Sequence, residues 1–294
     1  MQYEPVIKNG DYLYRKELKF DFPVEIHFTR MEEFDDENAF KVLVLSNESM
    51  MSPNRSTVDD VINNHEKYDL ILCADDYIIT FCRNACLFPY GSTWLNRVNL
   101  SHPDGLGTYD PQVPVFRNDD KKFGVSFLAS WYMLDRPGYA LRAQLWNRQT
   151  EITIPRKFYT SVKSFSANAR GAVPLPNGEK ECLFDTLYHV CIENQPVGHY
   201  FTEKIVDAFL TETMPIYWGC PNIGDYFNSE GIISFQTVDE LLDKINALTP
   251  DYYHDRLNII HENKMKAIEF ANFDQRIQKK VIEYHAQRTS PDKT

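Results

Sequence analysis

The sequence contains a short run of polar residues whose types suit the binding of a phosphorylated ligand. Glu193-Asn194 directly follows an apolar stretch, and Thr202-Glu203-Lys204 opens an apolar, helix-like segment. A lysine near a helix start can neutralise a phosphate, because the unpaired backbone amides there already favour anions. A carboxylate accepts hydrogen bonds from hydroxyl groups, and an amide both donates and accepts them. These residue types in this order indicate a nucleotide site.

The elements that must position these residues are predicted as strand, loop, helix and strand. Residues 187–192 are β-branched and aromatic enough for a buried strand, and residues 215–218 form a second apolar run. Thr202 suits the N-cap of the intervening helix. In an open parallel sheet, ligands bind beyond the carboxyl ends of the strands and at helix N-termini. The polar residues are therefore expected to meet at one edge of a sheet.

The stretch from 188 to 227 resembles the donor-binding motif of the α-1,3-fucosyltransferases, glycosyltransferase family 10. The matching elements, about forty continuous residues with the family's spacing, are Glu193-Asn194, Tyr200, Thr202-Glu203-Lys204 and Pro215-Ile216-Tyr217-Trp218-Gly219. The similarity is closest to the soluble bacterial members, and related viral sequences carry a continuation like residues 220–227. The resemblance implies a GT-B fold, in which two Rossmann-like α/β domains face each other across a cleft.

The resemblance also implies the reaction, an inverting transfer of fucose from GDP-β-L-fucose to a glycan hydroxyl, with no cofactor or divalent cation required. Lys204 and Arg142 would contact the donor phosphates, since cations stabilise the departing GDP. Asn194, Tyr200 and Glu203 would hold the ribose, the sugar or the base. A solvated lysine at a helix start and a surface arginine are the alternative interpretations. Glu193 is expected to anchor the loop rather than touch substrate.

The general base is predicted in the first half of the chain. In bacterial members of the family it is a glutamate that follows a strand and precedes a Pro-Asn turn, and Glu48 occupies that place here. Such a base would deprotonate the acceptor hydroxyl. A solvated loop carboxylate is the alternative. Asp75 and Asp76 are the reserve candidates, because they also follow a predicted strand.

Several further features of the sequence bear on this interpretation. Adjacent aspartates such as Asp75-Asp76 differ from the Asp-x-Asp pattern of metal-dependent GT-A transferases, and no histidine spacing predicts a metal site. His199 is expected to be a loop residue rather than a catalytic one. Trp94 and Trp131 could stack on an acceptor sugar or pack in the core. The alternatives for function are a different nucleotide sugar, a non-catalytic nucleotide-sugar-binding protein, and a metal enzyme using Asp75-Asp76.

Composition limits the function classes. The 294 residues are 43% hydrophobic and 14% aromatic, which is ordinary for a globular protein, and the formal net charge of −11 argues against nucleic acid as a partner. The charged N-terminus does not resemble a signal peptide, and no apolar run is long enough for a membrane anchor. The six cysteines lack metal-binding spacing and are interpreted as reduced thiols. These observations predict a cytoplasmic protein.

Two successive α/β halves are predicted along the chain. Strands are expected at 40–46 and 68–73, with a helix at 57–65 capped by Thr57, and a loop-rich connection at 91–120. The second half is expected to contain a strand at 123–129, a helix at 139–148, the motif region, a strand at 231–235 and three C-terminal helical segments. The domains are therefore predicted as 1–120, on the acceptor side, and 121–294, which binds the donor and includes the C-terminal helices.

Overall fold

The computed structural model describes residues 2–9, 18–45, 56–95, 121–130, 136–161, 173–176 and 180–289. These residues form two compact units. The first contains the described residues up to Tyr90 together with those from Asn272 onwards, and the second contains those from Gly91 to Ala271. Each unit is built on a five-stranded sheet whose strands are all parallel.

The elements of the first unit are strands β1 to β5 and three helices. The strands are β1 (Val6–Lys8), β2 (Val24–Phe28), β3 (Phe40–Val44), β4 (Leu70–Cys73) and β5 (Ala85–Leu87). Helices α1 (Ser56–Asn64) and α2 (Asp76–Phe81) connect strands, and α8 (Phe273–Thr289) comes from the far end of the chain.

The elements of the second unit are strands β6 to β10 and five helices. The strands are β6 (Lys122–Ala129), β7 (Arg156–Thr160), β8 (Thr186–Ile192), β9 (Met214–Trp218) and β10 (Ile233–Ser234). The helices are α3 (Pro137–Asn147), α4 (Glu203–Leu210), α5 (Val238–Asn246), α6 (Pro250–His254) and α7 (Leu257–Ala271).

The first sheet runs in the order β1-β2-β3-β4-β5, so each strand pairs with the next one along the chain. Right-handed crossovers in such a sheet put the connecting helices on one face and leave the other face uncovered. Alternate residues of β3 show the two faces: Leu43 packs in a cluster with Val58 of α1, whereas Val42 packs with Ile277 of α8. The last helix therefore completes the core of the first unit.

This arrangement corrects the predicted domain boundaries of 1–120 and 121–294. The prediction placed all C-terminal helices in the donor domain, but α8 belongs to the first unit, and residues 91–95 belong to the second. The cause is the uncovered face of the first sheet, which is filled by Phe273, Ile277 and Val281.

The second sheet runs in the order β10-β9-β8-β6-β7, and this order reverses the direction of strand addition at β6. The chain passes from β6 to β7 on one side and then returns to place β8 on the other side. Helix α3 follows β6 and helix α4 follows β8. The crevice beyond the carboxyl ends of strands at such a reversal is where open α/β sheets bind ligands. The sheet therefore brings the starts of α3 and α4 to the expected binding edge.

Most elements of the second half match the prediction, and several details of the chain do not. Thr57 does not cap α1, because the helix already includes Ser56. The strand predicted at 231–235 is reduced to Ile233–Ser234, preceded by a 3₁₀ turn at Ser229–Gly231. The sequence did not predict β1, β2, β5 or β7. None of the six cysteines, all of which are described, lies in a disulfide, and no helix within the described ranges is long and apolar enough to cross a membrane.

Candidate functional site

The end of strand β8 is joined directly to the start of helix α4 by Glu193. This carboxylate is completely buried, and its Oε1 accepts a hydrogen bond of 2.8 Å from the backbone amide of Thr202. The Thr202 hydroxyl donates to Oε2 at 2.9 Å and also caps the helix by accepting from the amide of Lys204. Glu193 therefore anchors the loop, as the sequence predicted.

Lys204 lies between two carboxylates at the first turn of α4. Its Nζ is 3.4 Å from Glu193 Oε2 and 3.4 Å from Glu203 Oε1, and it donates to the Thr202 hydroxyl at 3.0 Å. Burial tends to lower the pKa of this ammonium, but Glu203 and Glu193 outweigh that effect and raise the pKa. Lys204 is therefore a fixed positive charge at a helix N-terminus, where anions are favoured.

Glu203 is held by a second lysine on its other side. Lys180 Nζ lies 3.1 Å from Glu203 Oε1, and both side chains are mostly buried. Burial tends to raise the pKa of the Glu203 carboxyl, but Lys180 and Lys204 together lower it below its usual range. The Lys180 ammonium also lies over the ring of Trp94, 4.5 Å from its centroid. No sequence pattern distinguishes Lys180 from a surface lysine, and its role was not predicted.

Asp207, one turn further along α4, holds the segment that contains Trp94. Its buried carboxylate accepts from the Thr93 hydroxyl at 2.6 Å and from the backbone amide of Trp94 at 3.1 Å. Burial raises the pKa of Asp207 to about 7. This segment is therefore attached to the same helix that presents Glu203 and Lys204.

Arg142 connects helix α3 to the end of β8 across the reversal of strand order. Its guanidinium is almost completely buried and donates from Nε to the Ile192 carbonyl at 3.1 Å and from Nη2 to Asn194 Oδ1 at 2.8 Å. It also lies 4.6 Å from the centroid of the Tyr139 ring. These hydrogen bonds use Nε and Nη2, so Nη1 is the group of this guanidinium that could donate to a phosphate.

Glycine is required at the point where α3 approaches β8. A Cβ atom on Gly138 would lie 1.8 Å from the Glu193 carbonyl oxygen, closer than any real contact allows. The Gly138 amide instead donates to the Asn194 carbonyl at 3.1 Å. A Cβ on Gly219, at the end of β9, would similarly lie 2.5 Å from Glu193 Cγ. Because Gly138 and Gly219 have no side chains, the start of α3 and the end of β9 can both pack closely against Glu193 at the end of β8.

The loop before α4 is also fastened to the loop after β9. His199 adopts a left-handed backbone conformation with φ of 60°, and its amide donates to Asn222 Oδ1 at 2.8 Å. The Asn222 amide group donates to Asp225 Oδ2 at 2.9 Å, and His199 Nδ1 shares a hydrogen bond with the Tyr226 hydroxyl. His199 is therefore a loop residue, as predicted, and its contacts hold the conformation of the loop.

The structure brings four of the predicted site residues together. Arg142, Asn194, Glu203 and Lys204 all lie at the carboxyl edge of the second sheet around the starts of α3 and α4. Tyr200 is buried just before the Thr202 cap, and its side chain contributes to the raised pKa of Lys204.

Of the predicted bases, the structure describes only the reserve candidates Asp75 and Asp76. Glu48 and Trp131 lie outside the described residues. Asp75 is the N-cap of α2, where its Oδ1 accepts from the amides of Tyr77 at 2.9 Å and Ile78 at 3.0 Å, while Asp76 is exposed in the first turn. A carboxylate that caps a helix is already engaged by two donors, so Asp75 is the less suitable of the two reserve candidates. Within the described ranges, no group of three or more His, Cys, Asp or Glu side chains is placed to hold a metal ion.

The charges at this edge favour an anion. Among the described residues, the three cations Arg142, Lys180 and Lys204 lie with the carboxyl groups of Glu193, Glu203 and Asp207. Burial raises the pKa of Asp207 to about 7, so this group is only partly charged near neutral pH. Burial raises the pKa of the Glu193 carboxyl, so this group takes up a proton more readily than an exposed glutamate. A partly buried site of this sign can neutralise charge that develops on a phosphate leaving group.

Comparison with known proteins agrees with the fold and the motif. No family model matches the sequence. A stretch of 94 residues is 32% identical to an α-(1,3)-fucosyltransferase of Helicobacter pylori. This stretch is 31% of the present chain and only 20% of the length of the Helicobacter pylori protein. A crystal structure of α1,3-fucosyltransferase with GDP is similar with a TM-score of 0.51 and 20% identity, over 91% of this chain and 78% of that chain. A crystal structure of α1,3-fucosyltransferase with GDP-fucose is similar with a TM-score of 0.50 and 20% identity, over 92% of this chain and 79% of that chain.

The two parallel α/β units thus have the GT-B fold of glycosyltransferases, and this prediction is confirmed. The resemblance to glycosyltransferase family 10, the α-1,3-fucosyltransferases, is likewise confirmed by the 94 residues that match the Helicobacter pylori relative.

Proposed function

We propose that this chain transfers fucose from GDP-β-L-fucose to a glycan hydroxyl, with inversion at the sugar carbon. The observation that carries the proposal is the buried cluster in which Lys204 lies 3.4 Å from both Glu193 and Glu203 at the N-terminus of α4. This cluster lies at the carboxyl edge of the second sheet, which is where open parallel sheets bind nucleotides. The similar solved structures are of α1,3-fucosyltransferase with GDP and with GDP-fucose, which supports a GDP-linked donor.

Each residue of the cluster has a role in this reaction. Lys204 and Arg142 neutralise the charge that develops on departing GDP, and in our proposal they do so without a divalent cation. Asn194, Tyr200 and Glu203 orient the donor through its hydroxyl groups or base. The acceptor hydroxyl loses its proton to a carboxylate of the first half of the chain, for which Glu48 remains the prediction.

The proposal is tested by calorimetric titration with GDP-fucose, GDP-mannose, GDP, UDP-galactose and UDP, each with and without EDTA. GDP-fucose is expected to bind best, EDTA to have no effect, and Lys204→Ala to abolish binding. Lys266→Ala is the matched control, because this lysine pairs with Glu262 on the exposed surface of α7 at 2.9 Å. Preference for a UDP-sugar, or loss of binding with EDTA, would contradict the proposed donor or mechanism.

Turnover separates an enzyme from a binding protein. Glu48→Ala is expected to abolish fucose transfer to a glycan acceptor while GDP-fucose affinity is kept, because a general base acts on the acceptor rather than on the donor. Transfer that survives Glu48→Ala would rule out Glu48 as the base. A wild-type protein that binds GDP-fucose but transfers no sugar to any of a panel of acceptors would instead favour a non-catalytic binding protein.

A further inference from the structure

Lys180 is the cation of the site that the sequence did not identify. We infer that Lys180 is a positioning residue, which together with Lys204 fixes the carboxylate of Glu203 for the donor. The inference rests on the proposed function, because it assumes that Glu203 contacts the nucleotide sugar. It adds to that function a residue whose effect on the donor is exerted through Glu203.

The geometry around Glu203 supports this role. Lys180 Nζ lies 3.1 Å and Lys204 Nζ 3.4 Å from the same oxygen, Oε1. Two contacts hold Oε1 in place, and they leave Oε2 as the oxygen that would accept hydrogen bonds from donor hydroxyl groups. Only 12% of the Lys180 side chain and 13% of the Glu203 side chain are exposed, so the pair is shielded from water and salt far more than a surface ion pair.

The position of Lys180 is itself fixed by Trp94. The ammonium lies 4.5 Å from the centroid of the indole ring, within the range of a favourable cation–π contact. The backbone amide of Trp94 is in turn held by Asp207 of α4. The support of Lys180 and the carboxylate that it positions are therefore both attached to one helix.

The charges that face Glu203 come from several elements. Lys204 and Asp207 of α4 and Glu193 at the end of β8 interact with Glu203, whereas Arg142 of α3 and Tyr200 of the intervening loop interact with Lys204. Removal of Lys180 takes away the closest cation and leaves the negative groups in place. The Glu203 carboxyl is then expected to hold a proton more readily and to lose its fixed orientation.

The inference is tested with Lys180→Met, which keeps the aliphatic stem, and Lys180→Arg, which keeps the charge. Lys157→Met is the matched control, because Lys157 forms an ion pair with Asp185 in the same unit but outside the site. The titration of Glu203 is followed by ¹³C NMR of carboxyl-labelled glutamate, with the signal assigned by its loss in Glu203→Gln. GDP affinity is measured by calorimetry at pH 7 and pH 5.

Lys180→Met is expected to move the titration midpoint of Glu203 to higher pH and to weaken GDP binding about tenfold or more. The loss of affinity should be larger at pH 5 than at pH 7, since more of the Glu203 carboxyl is then protonated. Lys180→Arg and Lys157→Met should resemble the wild type in both measurements.

Three outcomes would overturn the inference. The first two are an unchanged titration midpoint of Glu203 and an unchanged GDP affinity in Lys180→Met. The third is an equal loss of GDP affinity when Lys180→Met is made in the Glu203→Gln background, because Lys180 would then act on the ligand directly. Absence of GDP binding by the wild-type protein would overturn the proposed function instead. The NMR midpoint distinguishes the two failures, because it is measured without nucleotide.

Discussion

The hydroxyl of Ser126 lies 2.7 Å from Nδ1 of His189, which stands directly opposite it on the neighbouring strand β8. Both side chains are buried on the sheet face that α4 covers. Burial lowers the pKa of His189 to about 3, with smaller contributions from Lys180 and Lys121. The folded protein therefore holds a neutral imidazole next to a site that is rich in cations.

His189 and Asp207 are expected to have opposite effects on stability between pH 5 and pH 6.5. Unfolded histidine takes up a proton near pH 6.5 but folded His189 does not, so its contribution to stability rises with pH. Folded Asp207 keeps its proton up to about pH 7 whereas unfolded aspartate does not, so its contribution falls with pH. As the pH rises from 5 to 6.5, the free energy of unfolding of His189→Asn, measured relative to the wild type, should decrease by about 1.5 kcal/mol. That of Asp207→Asn should increase by a similar amount.

Urea unfolding at the two pH values measures these differences. Met265→Leu is the control, because this exposed residue of α7 has no titratable group, and the unfolding free energy of that variant relative to the wild type should be the same at both pH values. A shift of the same sign in His189→Asn and Asp207→Asn would contradict the assignment.

Replacement of Glu193 by glutamine is expected to destabilise the second unit strongly. Glutamine keeps the shape but removes the charge that pairs with Lys204, and its amide group places a donor where Thr202 also donates. Breaking a buried ion pair in this way costs about 3 kcal/mol. The free energy of unfolding in urea is the measurement, and Glu283→Gln on the exposed surface of α8 should change it by less than about 0.5 kcal/mol. Equal effects in the two variants would refute the anchoring role.

Alanine at position 138 is expected to disrupt the binding edge. Its Cβ would lie 1.8 Å from the Glu193 carbonyl oxygen, so α3 must move away from β8, at a cost of about 3 kcal/mol or more in stability. GDP binding should be lost as well, because Arg142 moves with the helix. Gly198→Ala is the matched control, since a Cβ there would meet only Asn222 Oδ1 at an ordinary 3.7 Å. Thermal unfolding and calorimetry of both variants provide the comparison; a Gly138→Ala protein as stable as Gly198→Ala would disprove the close approach.

Asn222→Ala is expected to loosen the loop before α4. Alanine cannot accept from the His199 amide or donate to Asp225, and each lost hydrogen bond costs about 1 kcal/mol. Hydrogen exchange at the amides of residues 197–200 should become faster, and GDP affinity should fall. Asn64→Ala, which removes a surface contact with Asp60 in α1, is the control. Unaltered exchange in Asn222→Ala would show that the loop is held by other contacts.

The sequence predicted the second sheet better than the first, and the reason lies in the strands. The central strand β8 is buried along its whole length and reads as one continuous apolar run. Strand β2 is buried along its whole length as well, but it contains Glu25 and His27, which satisfy each other through a 2.8 Å contact. Such mutual compensation between side chains is not visible in a hydrophobicity pattern. Strand β7, with sequence RKFYT, is also difficult to predict from hydrophobicity, because its first two residues are charged.

The candidate site shows a similar division. The family motif marked Asn194, Glu203 and Lys204 because they lie close together in sequence. Lys180 precedes this motif by several residues, and only the fold brings it to Glu203. Arg142 was found only because the family resemblance gave its place in α3.

The contribution of α8 to the first sheet has a consequence for how this protein is made. A ribosome exports the chain from its N-terminus, so β1 to β5 emerge long before the residues that cover their second face. The unit that begins at Gly91 has its whole sequence outside the ribosome once Ala271 has emerged, and it is therefore free to fold first. Until Ile277 and Val281 follow, the early strands expose an apolar surface of the kind that chaperones protect. Protein released early by a premature stop codon shortly before α8 would keep the second unit whole and leave this apolar surface open to aggregation.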